Sequence, residues 1–302
     1  MQPTNIIWMN GEFIPWFDAK VHVMTHALHY GSGVFEGIRV YKTARGPAIF
    51  RLREHMERLI YSAQMLDLNV QYSVDQLCDI TCEVVRRNKL EHGYIRPLAF
   101  YGYGVMGLNP RNSPTEIMIS CWPWGSYLPV EQADIKVSKY IRIHPRSTVP
   151  DAKICGHYVN SILAVLEIKG TRYHEALFLD SDGVITEGPG ENFFIVRSNQ
   201  LLTPPRGGIL PGITRATIIE IAHVMGITVC ELPITLDEAL AADEAFFTGT
   251  AAEVTPIATI NDTRIGASGV GPITQKLKDA YDSVVHGREE HHLHFLTFLQ
   301  SD

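Results

Sequence analysis

Near the middle of the chain, residues 123–133 (PWGSYLPVEQA) form a turn-rich stretch with neither helical nor strand periodicity. Such a stretch is typical of a connection between two packed regions. On both sides of it, short apolar segments alternate with amphipathic helical patterns, which is typical of α/β structure. The 302 residues suffice for two domains with separate cores. We therefore predict a small N-terminal domain over 1–122, an interdomain loop over 123–133 and a larger C-terminal domain over 134–302.

The N-terminal region carries clear local signals for strands and helices. NIIWMNGEFIPW predicts a hairpin with an Asn-Gly turn. GVFEGIRVYKT and GPAIFRL predict two more strands around a turn at Ala44–Gly46. Apolar spacing predicts helices over 51–66 and 73–90, and Ser73 has the position and spacing of a capping-box residue. GYIRPLAFYGYGVMG and TEIMISCWPWG complete this half as further strands.

The C-terminal region repeats the mixture of strands and helices. EALFLDSDGVITEG predicts two strands around a Ser-Asp-Gly turn, and NFFIVRSNQLLTPP predicts another pair. TRATIIEIAHVMG predicts a helix that ends at a glycine in the C′ position. EAFFTGT predicts a short strand, and PITQKLKDAYDSVVHG predicts a final helix. The whole chain is thus expected to be an α/β (α+β) protein of two domains.

Composition excludes several classes of partner. The net charge of −7 gives no electrostatic reason to expect nucleic acid or an anionic membrane. The sequence contains no run of about 18 apolar residues, the length that a membrane span requires. The N-terminus lacks the pattern of a signal peptide, and five cysteines without a CxxC pair fit a reducing cytoplasm. His22 and His26 have a metal-ligand spacing, but no acid or cysteine completes a site, so we expect no metal.

One glycine motif invites a dinucleotide-binding interpretation. GYGVMG at residues 102–107 matches GxGxxG. That fingerprint requires a helix that opens on the last glycine, and LNPRNSP, which follows here, cannot start one. We therefore expect a tight turn or loop at this position.

Two segments could bind an anion. In LPGITRATIIEIA, a Pro-Gly turn precedes the helix, so the N–H groups of Ile213 and Thr214 point outward along its axis, where a phosphate binds well. An ordinary capped helix is the alternative. In TGTAAE, Thr248 and Thr250 follow a strand and offer hydroxyl and N–H groups. Each signal is weak by itself.

Three further groups, an amine, a phenol and an acid, join these two segments. Lys153 lies among apolar residues in PDAKICGHY, where desolvation disfavours an ammonium ion. Tyr158 follows five residues later. Glu187 ends a hydrophobic strand and needs a positive partner or a protonated nitrogen, unless it is an exposed loop acid; Glu191 follows it. An amine, an acid, a phenol and two anion cradles are what a pyridoxal phosphate site requires.

The chain also resembles a known family. AKICGHYVNSILA, EGPGENFF, LPGITR and GTAAEVTPI look like the ordered motifs of the class IV (fold-type IV) aminotransferases. HALHYGSGVFEGIRVY, FRLREHMERL, YIRPL and WPWGSYL are similar to the branched-chain amino-acid aminotransferase subgroup. The resemblance runs from about residue 7 to 285. It implies a two-domain fold-type IV enzyme, with a small α/β domain and a larger domain whose β-barrel-like core is flanked by helices.

The resemblance implies that the cofactor is pyridoxal 5′-phosphate (PLP). Lys153 would form the imine with it and then act as base and acid in the proton shift. Glu187 would pair with the ring nitrogen, Tyr158 would bind the 3-oxygen, and Leu210 would pack on the ring. The phosphate would be held by Arg58, Ile213, Thr214 and Thr250.

The same resemblance implies a substrate pocket. Its apolar wall would consist of Phe35, Gly37, Tyr94, Trp124 and Tyr127. Tyr94, with the backbone of Thr250 and Ala251, would bind the α-carboxylate. Arg96 would bind the second carboxylate of glutamate or 2-oxoglutarate. Tyr30 would come from another subunit, so the enzyme would be at least a homodimer, with hexamers also open.

The implied reaction is a ping-pong transfer of the amino group from L-leucine, L-isoleucine or L-valine to 2-oxoglutarate. Three alternatives remain open from the sequence. One is a class IV transaminase for D-amino acids or (R)-amines, and another is an aminodeoxychorismate lyase. The third is a non-enzymatic protein that binds a phosphate metabolite. The pair Tyr94 and Arg96, with Phe35, favours the branched-chain substrate class.

Two residues beside the lysine depart from the family pattern. His157 stands where an amide residue is more common, and Cys155 replaces a commoner small residue. Because both are close to Lys153 in sequence, we hypothesise that alkylation of Cys155 slows turnover.

Overall fold

The computed structural model describes residues 1–125 and 127–299. By its internal contacts, the chain forms two compact units. The first contains Met1–Gly125, Ala152–His157 and residues 284–299, and the second contains residues 127–151 and 158–283. The first unit thus takes in two segments that follow the predicted interdomain loop. Ser126 of the WPWGSYL motif lies outside the described residues, as do residues 300–302 of the predicted C-terminal domain.

The strands are numbered in chain order over the residues that the structure describes. They are β1 (Ile6–Met9), β2 (Glu12–Pro15), β3 (Gly33–Phe35), β4 (Ile38–Thr43), β5 (Gly46–Phe50), β6 (Gly93–Tyr101), β7 (Thr115–Trp122), β8 (Ala133–Val137), β9 (Glu175–Leu177), β10 (Asn192–Arg197), β11 (Gln200–Thr203), β12 (Val229–Glu231), β13 (Glu244–Gly249), β14 (Glu253–Ile260), β15 (Thr263–Arg264) and β16 (Leu296–Phe298).

The helices are numbered in the same way. They are α1 (His26–Tyr30), α2 (Leu52–Met65), α3 (Val74–Arg87), α4 (Tyr158–Ile168), α5 (Ile213–Val224), α6 (Leu236–Leu240) and α7 (Pro272–Val285). Short 3₁₀ turns lie at Trp16–Asp18, Cys155–His157 and Glu290–Phe295. No helix in the described part of the chain has the length and apolar character needed to cross a membrane.

The first unit is built on an antiparallel sheet with strand order β16-β5-β4-β6-β7-β1-β2, and β3 also pairs with β6. The predicted β1–β2 hairpin is confirmed. Its turn residues Asn10 and Gly11 have φ values of 50° and 97°, as a type I′ turn requires. The predicted capping box is also present, since Ser73 and Gln76 each accept a backbone N–H bond from the other at the start of α3.

Strands β3 and β4 pair with β6 in one continuous register, in which Phe35 lies opposite Leu98 and Ile38 opposite Ile95. The two residues between them lie opposite Pro97 and Arg96. Because proline has no N–H group, the ladder is interrupted there, although the N–H of Glu36 still donates to the carbonyl of Pro97 at 2.9 Å. The interruption places Phe35, Glu36 and Gly37 at the centre of the sheet.

The second unit contains a mixed sheet with strand order β12-β11-β10-β13-β14-β8-β9, and β15 pairs with β14. The pairs β11–β12, β14–β8 and β8–β9 are parallel. The core between its strands and helices includes Phe193, Phe247 and Ile195, all of them fully buried. The predicted pair over 192–203 is confirmed as β10 and β11.

The prediction of a second strand in EALFLDSDGVITEG is wrong. Only β9 forms, and Val184–Glu187 makes isolated bridges instead, with Leu179, Thr235 and Asn192 as the respective partners of Ile185, Val184 and Glu187. The segment divides its pairing between several neighbours, and the Gly-Pro-Gly turn follows at once. The helix predicted from Thr214 begins one residue earlier, at Ile213, and it ends before Gly226 with φ 72°.

The GYGVMG motif opens no helix, so the dinucleotide-binding interpretation is excluded. Residues 102–114 contain neither helix nor strand, and Gly107 adopts φ 111° in a turn. His26, one of the histidines with metal-ligand spacing, bonds instead to Ser32 Oγ at 2.6 Å and to the Gly107 carbonyl at 2.8 Å. It therefore fastens this loop to α1.

Candidate active site

Lys153 belongs to the first unit, where its backbone is fastened on two sides. Its carbonyl accepts the N–H of Phe35 at 3.1 Å, and its N–H donates to Ser62 Oγ of α2 at 2.9 Å. An antiparallel bridge joins Val34 to the next residue, Ile154. The segment thus runs beside the end of β3, which places the lysine Nζ 5.0 Å from the centre of the Phe35 ring.

The surroundings of the lysine amine favour its neutral form. Although the residue is only partly buried, neighbours crowd the amine and burial lowers the pKa of Lys153 to about 8. The positive charges of Arg58 and Arg96 act in the same direction, whereas Glu36 and Tyr94 oppose it. An amine with this pKa can be deprotonated near neutral pH, as a nucleophile or a general base must be.

Arg96, on strand β6 of the first unit, is surrounded by three aromatic rings, which we call the aromatic box. The guanidinium carbon of Arg96 is 4.7 Å from the centre of the Phe35 ring, 5.7 Å from that of Tyr94 and 5.9 Å from that of Trp122. The Nε atom of Arg96 is buried without a hydrogen-bond partner in the described structure. A buried donor of this kind has the chemistry to receive an anionic oxygen.

The neighbouring phenol favours glycine at position 37. A Cβ atom there would lie 1.8 Å from the hydroxyl oxygen of Tyr94. The Tyr94 ring packs edge-on against Trp124 at 4.4 Å between centres. Arg39 Nη2 donates to the carbonyl of Gly125 at 3.0 Å and so fixes the segment that carries Trp124. The structure therefore brings together five residues that were predicted for the substrate pocket: Phe35, Gly37, Tyr94, Arg96 and Trp124.

The remaining predicted residues of the first unit are Arg58 and Tyr30. Arg58 lies on α2, and its Nε and Nη2 atoms donate to the carboxylate of Glu36 at 2.6 and 2.9 Å. Tyr30 ends α1 and is 43% exposed, and its ring packs against those of His26 and His29, with centres 4.6 and 6.3 Å away. The expectation that Tyr30 serves another subunit stays a prediction.

Glu187 is the centre of a hydrogen-bonded network in the second unit. It is buried, and Oε1 accepts a 2.6 Å bond from Arg142 Nε. Asn192 Nδ2 donates to Oε2 at 3.1 Å, and the N–H of Leu210 donates to both oxygens at 3.2 and 3.1 Å. Three donors hold this carboxylate ionised and fixed, so the loop-acid alternative is wrong.

The same network determines where α5 begins. Asn192 Nδ2 also donates to the carbonyl of Leu210 at 2.9 Å. Gly212 is the N-cap residue of α5 and has no capping side chain, and a Cβ atom on it would lie 1.8 Å from Asn192 Oδ1. No side chain therefore covers the N–H groups of Ile213 and Thr214 in the described structure. The end of this helix is suited to an anion.

The strand turn after β13 offers further polar groups. The hydroxyl of Thr248 is buried and has no hydrogen-bond partner among the described residues. Thr250 and Ala251 follow in the turn to β14, whose first pair is Gly249 and Glu253. A buried hydroxyl usually has a hydrogen-bond partner, and a ligand bound next to this turn would supply one.

Three other predicted residues also lie in the second unit. Tyr158 is the first residue of α4, as expected. Tyr127, predicted for the pocket wall, is half-exposed, and its hydroxyl donates to Glu175 Oε2 at 3.4 Å. Burial raises the pKa of Glu175 to about 7, so this acid titrates near neutral pH. Glu191 is buried and accepts the N–H of Gly190 at 3.0 Å.

The structure argues against a reactive Cys155. The thiol lies in the 3₁₀ turn directly after Ile154, where burial raises its pKa to about 11. A thiolate is the nucleophile in alkylation, and little thiolate forms at neutral pH when the pKa is this high. Alkylation at neutral pH is therefore not expected to slow turnover.

Sequence reasoning missed several residues that hold the site. Arg142 and Asn192 fix Glu187, while Glu36 and His55 contact Arg58 or its partner. A signal for Glu36 was present, because an acid between Phe35 and the apolar strand β4 must be buried and paired. No sequence signal pointed to Arg142, which lies in an irregular segment.

A family model bears on these observations. The model described as "Amino-transferase class IV" matches residues 33–260, about three quarters of the chain. That range contains Lys153, Glu187 and both anion cradles. The chain belongs to the class IV aminotransferases.

Relatives within the class are similar over almost their whole length. The branched-chain-amino-acid aminotransferase of Pseudomonas aeruginosa is 45% identical over 299 residues, which cover 98% of this chain and 97% of the relative. The enzyme of the same name from Escherichia coli K12 is 43% identical over 290 residues, or 94% of each chain.

Solved structures of class IV aminotransferases have the same fold. The branched-chain aminotransferase of Thermoproteus uzoniensis, in complex with norvaline, gives a TM-score of 0.94 at 43% identity, over 98% of this chain and 100% of that one. The branched-chain amino acid aminotransferase of Thermobaculum terrenum, in its PLP-bound holo-form, gives 0.94 at 36% identity, over 100% of both chains. The expected two-domain fold-type IV is therefore confirmed.

The cofactor of this class is pyridoxal 5′-phosphate, and the residues present fit it. The lowered pKa of Lys153 suits an amine that reacts with an aldehyde. The ionised Glu187 suits a protonated ring nitrogen, and the uncapped start of α5 suits a phosphate. The unpaired hydroxyl of Thr248 adds a donor to the second cradle.

Proposed function

We propose that the chain transfers the amino group of L-leucine, L-isoleucine or L-valine to 2-oxoglutarate, which gives branched 2-oxo acids and L-glutamate. The reaction is ping-pong, since one pocket takes the two substrates in turn. The observation that carries the substrate class is the aromatic box around Arg96. Its rings can bury a branched side chain at about 25 cal/mol per Å², and its arginine can bind the second carboxylate of glutamate.

Lys153 and Glu187 carry the proton chemistry in this proposal. When bound, PLP supplies an electron sink beside the reacting carbon. Lys153 Nζ would be the amine that holds the cofactor and, when free, would take the proton from the substrate Cα and later give it back. Its pKa of about 8 suits both proton transfers near neutral pH. Glu187, held by Arg142, would face the ring nitrogen and favour its protonated form.

The other cofactor contacts follow the family pattern. In that pattern, Arg58, the N–H groups at Ile213 and Thr214, and Thr250 would hold the phosphate. Tyr158 would bind the 3-oxygen, and Leu210, whose backbone is fixed by Glu187 and Asn192, would pack on the ring.

Substrate orientation is assigned to two groups of residues. Tyr94, with the backbone of Thr250 and Ala251, binds the α-carboxylate, and Phe35, Gly37, Trp124 and Tyr127 enclose the side chain. The D-amino-acid or (R)-amine alternative is not favoured, because relatives at 43–45% identity are branched-chain-amino-acid aminotransferases. The structure offers no observation that favours the lyase or the non-enzymatic alternative.

We further propose that the enzyme is a homodimer at least, in which Tyr30 serves the partner's site. The exposure of Leu28 and Tyr30 supports this, as does an exposed apolar face of α4 that includes Val159, Ile162 and Leu166. All five cysteines are free, which supports a cytoplasmic location. Sedimentation analysis should give at least twice the monomer mass.

A panel of half-reactions tests the function. The absorption band of the lysine-bound cofactor is followed after addition of L-leucine, L-glutamate, D-alanine or (R)-1-phenylethylamine. We expect loss of the band with the two L-amino acids and little change with the other two. Loss with D-alanine alone would refute the substrate class, and absence of the band would refute the cofactor assignment. Lys153→Ala should abolish transamination, so full activity in that variant would also refute the proposal.

A further inference from the structure

Glu36 is a completely buried acid in the first unit, and its surroundings explain how it is tolerated. It lies in the interruption between β3 and β4, flanked by Phe35 and Gly37. Oε1 accepts Arg58 Nε at 2.6 Å, while Oε2 accepts Arg58 Nη2 at 2.9 Å and His55 Nδ1 at 2.7 Å. The N–H of Gly37 also donates to Oε2 at 3.3 Å, so the acid faces one arginine edge, one imidazole and one backbone N–H.

The three groups have defined charges. Burial alone would raise the pKa of Glu36, but Arg58 and His55 outweigh it and hold the pKa well below the usual range of a carboxyl. Burial lowers the pKa of His55 despite the nearby acid, so the imidazole is neutral at neutral pH and Nδ1–H is the donor. A carboxylate, a guanidinium and a neutral imidazole together carry no net charge.

One face of α2 delivers these contacts. His55, Arg58 and Ser62 have the spacing i, i+3, i+7, which places them in one row along a helix. The first contacts Glu36, the second binds it through two nitrogens, and the third accepts the backbone N–H of Lys153. The row thus fixes the phosphate arginine and the lysine segment from the same helix.

The pairing also restricts the orientation of the guanidinium. Arginine is planar and presents its donors along two edges. In Arg58, the edge formed by Nε and Nη2 lies on Glu36. Rotation of the side chain would break both bonds and leave the buried carboxylate without its cationic partner, which is strongly unfavourable. The guanidinium therefore presents its other edge, which includes Nη1, in one direction.

We propose that Glu36 and His55 are positioning residues that hold Arg58 in the orientation in which it binds the cofactor phosphate. This inference rests on the proposed function, in which Arg58 is a phosphate ligand. Glu36 and His55 act on the phosphate through Arg58, and the charge of Glu36 separately raises the pKa of Lys153. They should consequently affect the affinity for ligands that carry a phosphate and leave the affinity for the pyridine aldehyde alone nearly unchanged.

The test compares two ligands of the full-length protein after removal of its cofactor. PLP and pyridoxal differ only in the phosphate, and the binding of each is titrated by absorbance. In Glu36→Gln, which keeps the shape but removes the charge, we expect PLP affinity to fall about 10–100-fold. At a pH above the pKa of Lys153, where the amine is neutral in both proteins, pyridoxal affinity should change less than about threefold. Equal losses for both ligands, or no loss for PLP, would overturn the proposal.

Two further sets of variants separate positioning from folding. His55→Asn keeps an N–H near the position of Nδ1, whereas His55→Leu removes it, so the first should retain the preference for PLP and the second should reduce it. If both retained it, His55 would have no positioning role. Adding Glu36→Gln to Arg58→Ala should cause no further loss of PLP affinity, because the acid acts through the arginine. An additive loss would contradict that route.

A matched control is a buried acid with a purely structural set of partners. Glu244 accepts the backbone N–H groups of Ile273 and Thr274 at the start of α7. Glu244→Gln should leave the preference for PLP over pyridoxal unchanged. A reduced preference would show that neutralising any buried acid has this effect, and it would overturn the proposal. Absence of that preference in the unaltered protein would instead refute Arg58 as a phosphate ligand, and with it the proposed function.

Discussion

The two units hold their candidate residues by different means. In the first unit, a side chain holds the candidate arginine, since Glu36 pairs with Arg58, and burial together with the nearby arginines lowers the pKa of Lys153. In the second unit, side chains and backbone act together, since Glu187 accepts bonds from Arg142, Asn192 and the N–H of Leu210, and the start of α5 has no capping side chain. Substitutions in the first unit should therefore act mainly through charge and titration, whereas those in the second should act through both charge and geometry.

The largest effect is expected at the acid of the second unit. Glu187→Gln cannot keep a ring nitrogen protonated, and it leaves Arg142 buried opposite a neutral amide. We expect kcat to fall about 10²–10³-fold, measured as turnover of L-leucine with 2-oxoglutarate. Glu191→Gln is the control from the same loop and should lose less than about tenfold. Equal losses would mean that Glu187 has no special role.

Two glycine substitutions compare the units directly. In Gly212→Ala, the new Cβ would meet Asn192 Oδ1 at 1.8 Å, and Asn192 is bonded to both Glu187 and Leu210. We expect a loss of about 1–3 kcal/mol in the free energy of unfolding. In Gly37→Ala, the obstacle is the hydroxyl at the far end of the Tyr94 side chain, which can move. We expect a smaller loss there but a raised KM for L-leucine.

The controls for this comparison are glycines with open space around the Cβ position, Gly208 in the second unit and Gly125 in the first. Alanine at either position should change the free energy of unfolding by less than about 0.5 kcal/mol. Urea unfolding and steady-state kinetics give the two readouts. If Gly37→Ala destabilised the protein more than Gly212→Ala, the account of a movable phenol in the first unit and a fixed amide in the second would be wrong.

The pH dependence of cofactor attachment tests the first unit. Only the neutral amine attacks an aldehyde, so below its pKa the rate of attachment should rise about tenfold per pH unit. With the pKa of Lys153 lowered to about 8, the rate should level off above that pH in the cofactor-free protein. Because Glu36 raises this pKa, Glu36→Gln should move the midpoint to lower pH. A midpoint near the ordinary lysine value would contradict the electrostatic account.

The smallest effect is expected at Cys155. Since its pKa is raised to about 11, a thiol reagent at pH 7 should change turnover less than about twofold. Cys155→Ser treated in the same way provides the comparison. Strong inhibition of the parent but not of this variant would restore the hypothesis of a reactive thiol.

Local sequence patterns predicted the elements whose signals are local. The Asn-Gly hairpin and the capping box at Ser73 form as expected because their geometry depends on a few adjacent residues. The strand expected after Asp182 forms only isolated bridges, because its residues divide their pairing between the nearby Leu179 and the distant Thr235. The same distinction applies to the site. Glu187 was found from the apolar segment that precedes it, whereas Arg142, 45 residues away in the chain, was not.

The attachment point of the cofactor tests the central claim most directly. Borohydride reduction of the purified protein fixes a lysine-bound cofactor irreversibly, and mass spectrometry of the digested protein then locates the modified residue. We predict a phosphopyridoxyl group on Lys153 and none on the same peptide from Lys153→Ala. A modification on another lysine, or no modification at all, would contradict the account.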